Sequence, residues 1–445
     1  MVVAAPATGH GKTTVATGLM AALTRAGHVV SGHKVGPDYI DPGYHALACG
    51  RPGRNLDPHL VGEALVVPLL LHGARGADAA VVEGVMGLFD GRIRDRGFSS
   101  TAHVAQLTAS PVVLVVDISR ASRTIGAVVH GLACWDPRVR VAGVILNQAG
   151  SPRHAREVAD AIDLPVLGIL GRDPALTVPS RHLGLVPAAE RDEAAHALDK
   201  LADRIVEQVD VDAVLALAAT APDLDAEPWD PRAAMRAAGS STSSTTERPV
   251  VAMAGGRAFT FRYAETEELL RAAGCAVVGF DPMVDPRLPD GTAGIYLGGG
   301  FPEVHAHGLT DNVMLRRELA AALAGGVPTV AECAGLLYLC TALDSSPMVG
   351  AIAAEAAMTE RLTLRYPTMT ATTDNLLTRA GETVTGHEFH RTQVVPASNG
   401  HAAWTVDGDA VGFASETLHA SYLHTHWAGH PQLARRFAEA VRARG

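Results

Sequence analysis

Six short aliphatic runs in the first half of the chain limit its fold more than any other feature. "MVVAAP", "HVVSGHKVG", "ADAAVVEG", "SPVVLVVD", "VAGVILNQ" and "LPVLGIL" are apolar without alternation, and helical patterns separate them. A strand with one wet face alternates apolar and polar residues, whereas a strand covered on both faces does not. The runs therefore predict a parallel sheet flanked by helices over residues 1–225. "RPVVAMAGG", "CAVVGFDP", "AGIYLGGG", "PTVAEC" and "AVGFAS" predict a second α/β domain over residues 249–445. Between the two, residues 226–248 lose periodicity and end in a Ser/Thr tract, which reads as a linker. The closing "HPQLARRFAEAVRAR" reads as an amphipathic helix packed through its apolar face.

Composition narrows the partners. A net charge of −10 lacks the basic face of a nucleic-acid binder. No apolar run approaches the ~18 residues of a membrane helix, and no secretory signal opens the sequence, so neither nucleic acid nor membrane is an expected partner. Five cysteines, at 49, 134, 275, 333 and 340, form no CxxC pair. That pattern fits reduced thiols in a cytoplasmic protein better than disulfides or structural zinc. Only three lysines occur, Lys12, Lys34 and Lys200, and the first two fall inside motifs.

"ATGHGKTT" places Gly9, His10, Gly11, Lys12, Thr13 and Thr14 between the first strand and a helix. Glycines let backbone N–H groups approach phosphate oxygens, and the helix N-terminus adds its dipole. Lys12 would reach the terminal phosphates of a nucleoside triphosphate, and Thr13 would ligate Mg²⁺. The usual first glycine of such a loop is Pro6 here, and Gly9 can supply the turn. Two further loops at strand ends carry acids. "AAVVEGVMGLFDG" offers Glu83 as a metal ligand and Asp90, while "HKVGPDYIDPGYH" packs Lys34, Asp38, Tyr39, Asp41 and His45 together. In an open α/β sheet such loops converge on one ligand crevice. Lys34 is a candidate for easing charge as a phosphoryl group leaves.

In the second domain, "PTVAECAGLLYL" sets Cys333 between a strand and a helix, the layout of a nucleophile elbow. A helix N-terminus would lower the thiol pKa from roughly 8.5. Gly298, Gly299 and Gly300 of "YLGGGFPE", with the N–H of Ala334, would form an oxyanion hole. A thiol nucleophile needs a base, and "ASYLHTHWAGH" supplies His424 and His426. Alternate residues of an extended chain share a face, so both can point toward Cys333. Cys340 and Cys275 read as core.

The segments "KVGPDYIDP", "NLD", "EGVMGLFDG", "STAHVAQL", "GVILN", "RHLGL", "LGGGFPE", "AECAGLLYL", "GHEFH" and "SYLH" follow one another along nearly the whole chain. Together they resemble the cobyrinic or hydrogenobyrinic acid a,c-diamide synthase family. The resemblance implies a dethiobiotin-synthetase-like P-loop NTPase domain joined to a class I glutamine amidotransferase domain of the Cys–His kind. It implies Cys333 as glutaminase nucleophile, with Gly299 and Gly300 at the glutamine, and His424 as base because that base follows a Tyr-x element, here Tyr422-Leu423. His426 then stands where triads carry an acid. Gly9 to Thr14 would bind ATP, with Thr13, Glu83 and Asp38 around Mg²⁺. Asp38 and Lys34 would assist catalysis, while Tyr39, Asp41 and Asp90 would lie near the reacting carboxylate. Asn147, Arg181 and His182 would contact the nucleotide. Arg257 and Ala331 depart from the family pattern.

The implied reaction uses ATP to phosphorylate two peripheral carboxylates of a corrinoid. Ammonia released from L-glutamine then displaces phosphate, after travelling a shielded path between the domains. Arg92, Arg94 and Arg96 of "GRIRDRG" are candidates for steadying a polycarboxylate, or else a solvated charge cluster. Two rivals have the same architecture: an amidoligase for another tetrapyrrole, and a regulatory P-loop ATPase with an inactive amidotransferase domain. The intact Cys–His pair argues against the latter. Cobalt in the ring and the oligomer, a homodimer among the options, stay open.

Overall fold

The computed structural model describes residues 1–173, 191–240 and 248–444. They form two compact units, Met1–Trp229 and Asp230–Gly445.

Among the described residues of the first unit, one sheet contains β1 (Val2–Ala4), β2 (Val30–Val35), β3 (Arg54–Leu56), β4 (Ala79–Glu83), β5 (Val112–Asp117), β6 (Val141–Ala149) and β7 (Val166–Gly171). Its order is β3-β2-β4-β1-β5-β6-β7, and every pairing is parallel. The six apolar runs are six of these strands; β3, only "RNL", is too short and polar to announce itself. Helix α1 (Lys12–Arg25) follows β1 and buries Val15, Ala16, Leu19, Met20 and Leu23. It lies so close to the helix Arg191–Gln208 that a methyl group at Gly18 would come within 2.7 Å of Ile205. Helix α2 (Ile40–Cys49) follows β2. Because β4 stands between β2 and β1, the loops leaving these three strands lie side by side at the carboxyl edge.

The second unit has two sheets among its described residues. In one, β8 (Val250–Ala254), β9 (Ala276–Phe280), β10 (Thr292–Leu297) and β11 (Thr329–Glu332) are joined by Leu418–Ser421, which runs parallel to β11. The strand expected at "AVGFAS" is present but broken. That stretch is cut into Asp409–Val411 and Phe413–Ala414, and the latter is an antiparallel edge. The cut falls at Gly412, which has φ 81°; a side chain there would lie 2.7 Å from the Ala420 carbonyl oxygen. The other sheet, eight-stranded and mostly antiparallel, is built around Glu355–Arg365 and Thr383–Val395. The sequence gives little sign of it, because Glu355–Arg365 is largely solvent-exposed and carries no apolar run.

Part of the stretch read as linker is helical. Pro231–Ala237 forms a helix capped by Asp230, whose carboxylate accepts from the N–H groups of Arg232 and Ala233. Its Met235 is buried, and it contacts the helices Ala264–Ala272 and Pro431–Arg444. Asp-Pro at a helix start was the available signal. Pro431–Arg444 packs through Leu433, Phe437 and Val441. Among the described residues no helix is long and apolar enough to cross a membrane.

Candidate active sites

The phosphate loop is built by Gly9 and Gly11 at φ 90° and 93°, values that L side chains avoid. Asn147, at the end of β6, braces the loop: its Nδ2 donates to the His10 carbonyl at 2.9 Å, and its Oδ1 accepts from the Gln148 N–H. A side chain at Gly11 would collide with that amide. The expected base contact from Asn147 thus meets a side chain already engaged with the loop backbone. His10 Nδ1 accepts from the Asp117 N–H at 2.9 Å, which makes His10 part of the same scaffold. Lys12 Nζ reaches the Met86 carbonyl at 2.5 Å and the Ala7 carbonyl at 3.3 Å. Burial, and then the charge of Lys34, lower its pKa to about 8. Thr14 is half-buried in the first turn of α1. Arg181 and His182 lie outside the described residues.

Glu83 is the hub where the three loops meet. Fully buried, it accepts on Oε1 from Thr13 Oγ1 at 2.5 Å and Lys34 Nζ at 2.9 Å, and it meets His45 Nε2 through Oε2 at 2.7 Å. Lys34 also contacts Asp41 Oδ2 at 2.6 Å and donates to the Gly84 carbonyl. Burial opposes charge on Glu83, but Lys34 and the His45 hydrogen bond together hold its carboxyl well below the usual range. Burial likewise opposes charge on Lys34, and Asp41 with Glu83 outweighs it, so the ammonium persists. Asp41 is pushed up by burial and by its neighbours Asp38 and Glu83. Sequence reasoning placed His45 in this loop without seeing its bond to Glu83. It also missed Asn55, whose Nδ2 ties the Gly36 and Asp38 carbonyls at 2.8 and 2.6 Å.

Asp38 has a structural task beyond the expected ones. Its Oδ1 accepts from the N–H groups of Ile40 and Asp41 at 2.7 and 3.1 Å, capping α2. Tyr39, the residue at that helix boundary, is half-buried. Asp90 is exposed, and its Oδ2 accepts from the Gly87 N–H at 2.9 Å. Arg92 lies 3.8 Å from Asp95, and Arg94 and Arg96 are exposed. The adjacent groove is lined by Glu63, Asp95 and Asp136 against Arg96 and Arg138, so it carries no excess of positive charge for a polycarboxylate.

In the second unit Cys333 directly follows β11 and adopts φ 49°, the strained backbone of an elbow. Its N–H donates to the Ser421 carbonyl at 2.8 Å, and Gly335 donates to Gly298 at 3.0 Å. A side chain at Gly335 would come within 2.7 Å of Leu297 Cβ, so small residues are what let the turn close on β10. Two expectations are corrected. The Ala334 N–H that opens the helix Ala334–Leu339 does lower the thiol pKa, but burial first, then Glu303 and Glu388, outweigh it and drive the pKa upward. The oxyanion hole cannot draw on all the glycine N–H groups, because Gly299 donates to the Phe261 carbonyl at 3.0 Å. Gly300 has no room for a side chain beside Ala258 and Phe259.

The two histidines diverge, contrary to the shared face expected. The strand that holds them is only His424–Thr425. His424 lies against Gly299, with its Nε2 about 3.1 Å from where a side-chain carbon there would sit. Its Nδ1 is 3.6 Å from Glu332 Oε2, and its ring stacks on His387 at 4.9 Å. His426, fully buried, instead stacks on Tyr263 at 4.1 Å and faces Glu265 at 3.6 Å. Cys340 and Cys275 are buried, as expected of core residues.

A braced phosphate loop in one unit, and in the other an elbow cysteine with a histidine set between the glycine loop and the acid that precedes that cysteine, define a class: a nucleotide-binding domain fused to a glutamine amidotransferase. A family model described as a CobQ/CobB/MinD/ParA nucleotide binding domain matches residues 1–186, and one described as a CobB/CobQ-like glutamine amidotransferase domain matches 250–432. The chain is 60% identical to a hydrogenobyrinate a,c-diamide synthase of Thermobifida fusca, across 99% of this chain and 96% of the relative. Against the enzyme of that name from Streptomyces coelicolor the identity is 51%, across 99% and 97%. A cobyrinate a,c-diamide synthase of Synechococcus is 40% identical, across 99% and 98%. The chain belongs to the a,c-diamide synthase family of cobalamin biosynthesis, and it is an enzyme, a ligase.

Proposed function

We propose that the chain amidates the a and c side-chain carboxylates of hydrogenobyrinate, the metal-free ring, with ATP as activator and L-glutamine as nitrogen donor. The full-length likeness to relatives of that name carries the reading: those compared are 49–60% identical, against 37–40% for the cobyrinate enzymes. Residues 1–225 would be the synthetase and 249–445 the glutaminase, working in a cytoplasm that keeps the cysteines reduced.

The burial that keeps the Cys333 thiol protonated makes a base necessary. His424 takes the thiol proton, the thiolate adds to the glutamine amide carbon, and the protonated imidazole gives its proton to the departing ammonia. Water hydrolyses the remaining thioester to glutamate. In the synthetase, the corrinoid carboxylate attacks the γ-phosphorus of ATP and ADP leaves. Ammonia then adds to the acyl phosphate carbon and phosphate departs, so one ATP and one glutamine yield one amide.

Lys12 and the loop N–H groups would orient the phosphates, while buried Lys34 holds Glu83 and Asp41 in place. Thr13 Oγ1 and Glu83 Oε1, 2.5 Å apart, are hard oxygen donors that suit Mg²⁺ shared with substrate phosphates. Bound there, Mg²⁺ would neutralise charge on the transferring group. The test is mass analysis of hydrogenobyrinate and cobyrinate incubated with enzyme, ATP and glutamine, with a Cys333→Ala control given glutamine or ammonium. The reading expects two amides on the metal-free ring, lost with glutamine in the variant and restored by ammonium. ATP hydrolysis without amidation of either ring would overturn it.

A further inference from the structure

We infer that Glu332, the residue immediately before the nucleophile, is the positioning acid of the glutaminase centre and holds His424 in register with Cys333. The inference rests on the glutamine-hydrolysing reading above. Three groups from elsewhere in the unit anchor its carboxylate. Tyr296 OH donates to Oε2 at 2.9 Å, and Thr425 donates to Oε1 through its hydroxyl at 2.9 Å and its N–H at 3.3 Å. Thr425 is itself held by Trp427 Nε1 at 3.0 Å. A carboxylate this constrained cannot swing away from His424 Nδ1, which it faces at 3.6 Å. That spacing is an ion-pair distance rather than a hydrogen bond, and such contacts tighten once substrate fills a site.

The consequence is a defined tautomer. With Nδ1–H directed to Glu332, Nε2 is the acceptor, and it lies against the glycine loop at Gly299. The thiol proton moves to Nε2, Glu332 faces the ring across Nδ1–H, and the proton on Nε2 leaves on ammonia. His387, stacked on His424, is a further titratable group facing the ring; Glu303 and Glu388 act on the thiol. His426 is excluded from the role of third member by its own pairing with Glu265 and Tyr263.

The experiment compares Glu332→Gln and Glu332→Asp in the full chain, measuring glutamine hydrolysis across pH and amidation driven by ammonium. For Glu332→Gln, kcat should fall by up to about 10⁴-fold, the loss seen when the acid of a Ser-His-Asp triad is amidated. KM should hold, and the acidic limb of kcat/KM should move to lower pH because the imidazolium loses its neighbouring charge. Ammonium-driven amidation should match the unaltered chain. Glu332→Asp keeps the charge and should leave the limb nearer its original position while lowering kcat less. An unmoved limb with kcat within about threefold in the glutamine variant overturns the assignment. Should that variant not fold, unchanged kcat and limb in the aspartate variant do so. Absence of glutaminase activity in the unaltered chain would instead strike the functional reading.

Discussion

A single methyl group at Gly299 tests the geometry of the glutaminase centre more sharply than removing a catalytic group. Gly299 does not lie at positive φ, so alanine is conformationally allowed and only space is at issue. The added carbon would sit 3.1 Å from both His424 Nε2 and Phe261 Cβ, and nearer still to His424 Cε1. Ordinary carbon contacts are about 3.5–4.0 Å, so the ring must retreat by roughly 1 Å. It has nowhere to go: His387 stacks on it with 12° between planes, and Glu332 stands 3.6 Å from Nδ1. A misplacement of about 1 Å at a reacting group costs on the order of 10²-fold in rate. Overpacking would also destabilise the second unit by about 1–3 kcal/mol. Gly299→Ala should therefore lose about 10²-fold in kcat for glutamine hydrolysis while ammonium-driven amidation stays intact. Glutamate release measured beside amide formation reads both. Hydrolysis within about threefold of the unaltered chain would refute the placement of His424 against this loop.

Nucleotide affinity should depend on pH through Lys12. With its pKa lowered to about 8 by burial and by Lys34, it is charged below pH 8 and neutral above. Titration calorimetry should show ATP affinity steady to pH 7.5 and falling by up to about tenfold per pH unit above 8; flat affinity to pH 9.5 would disprove it. Glu83→Gln removes a fully buried carboxylate that Lys34 and His45 both contact. It should abolish ATP-dependent amidation and destabilise the first unit by about 3–5 kcal/mol in urea unfolding of the full chain; a loss below about 1 kcal/mol would show that Asp41 alone satisfies Lys34. Because the Glu83 carboxyl is held below its usual range, this stabilisation is present above roughly pH 5 and fades as acid protonates it. Among the cysteines Cys134 is exposed and Cys333 is buried with its pKa raised. Iodoacetamide at neutral pH should therefore label Cys134 first by mass spectrometry, and preferential labelling of Cys333 would contradict the raised thiol.

Much of the first unit was legible because its signals are local. An uninterrupted aliphatic run such as β5 declares a strand covered on both faces, and Gly9 to Thr14 declare their loop by residue type and by their place between a strand and a helix. The second sheet of the other unit was not legible. Glu355–Arg365 is exposed along most of its length, so its residues follow solvent rather than a core. The helix Pro231–Ala237 inside the stretch read as a linker was not legible either, because one buried residue, Met235, is too few for a periodic pattern.

At the two sites the division follows distance along the chain. The sequence by itself determined the chemistry available: a lysine and threonine in a phosphate loop, an acid ending β4, a cysteine at a strand-to-helix turn. Tertiary structure alone decided which groups meet and in what charge state. Glu83 receives Thr13 from 70 residues away and His45 from 38, and Glu332 is bonded by Thr425 across 93. It also decided against a thiolate at Cys333, because burial and the nearby Glu303 and Glu388 outweigh any helix end. Desolvation depends on everything packed around a group, and no stretch of neighbours in sequence contains that information.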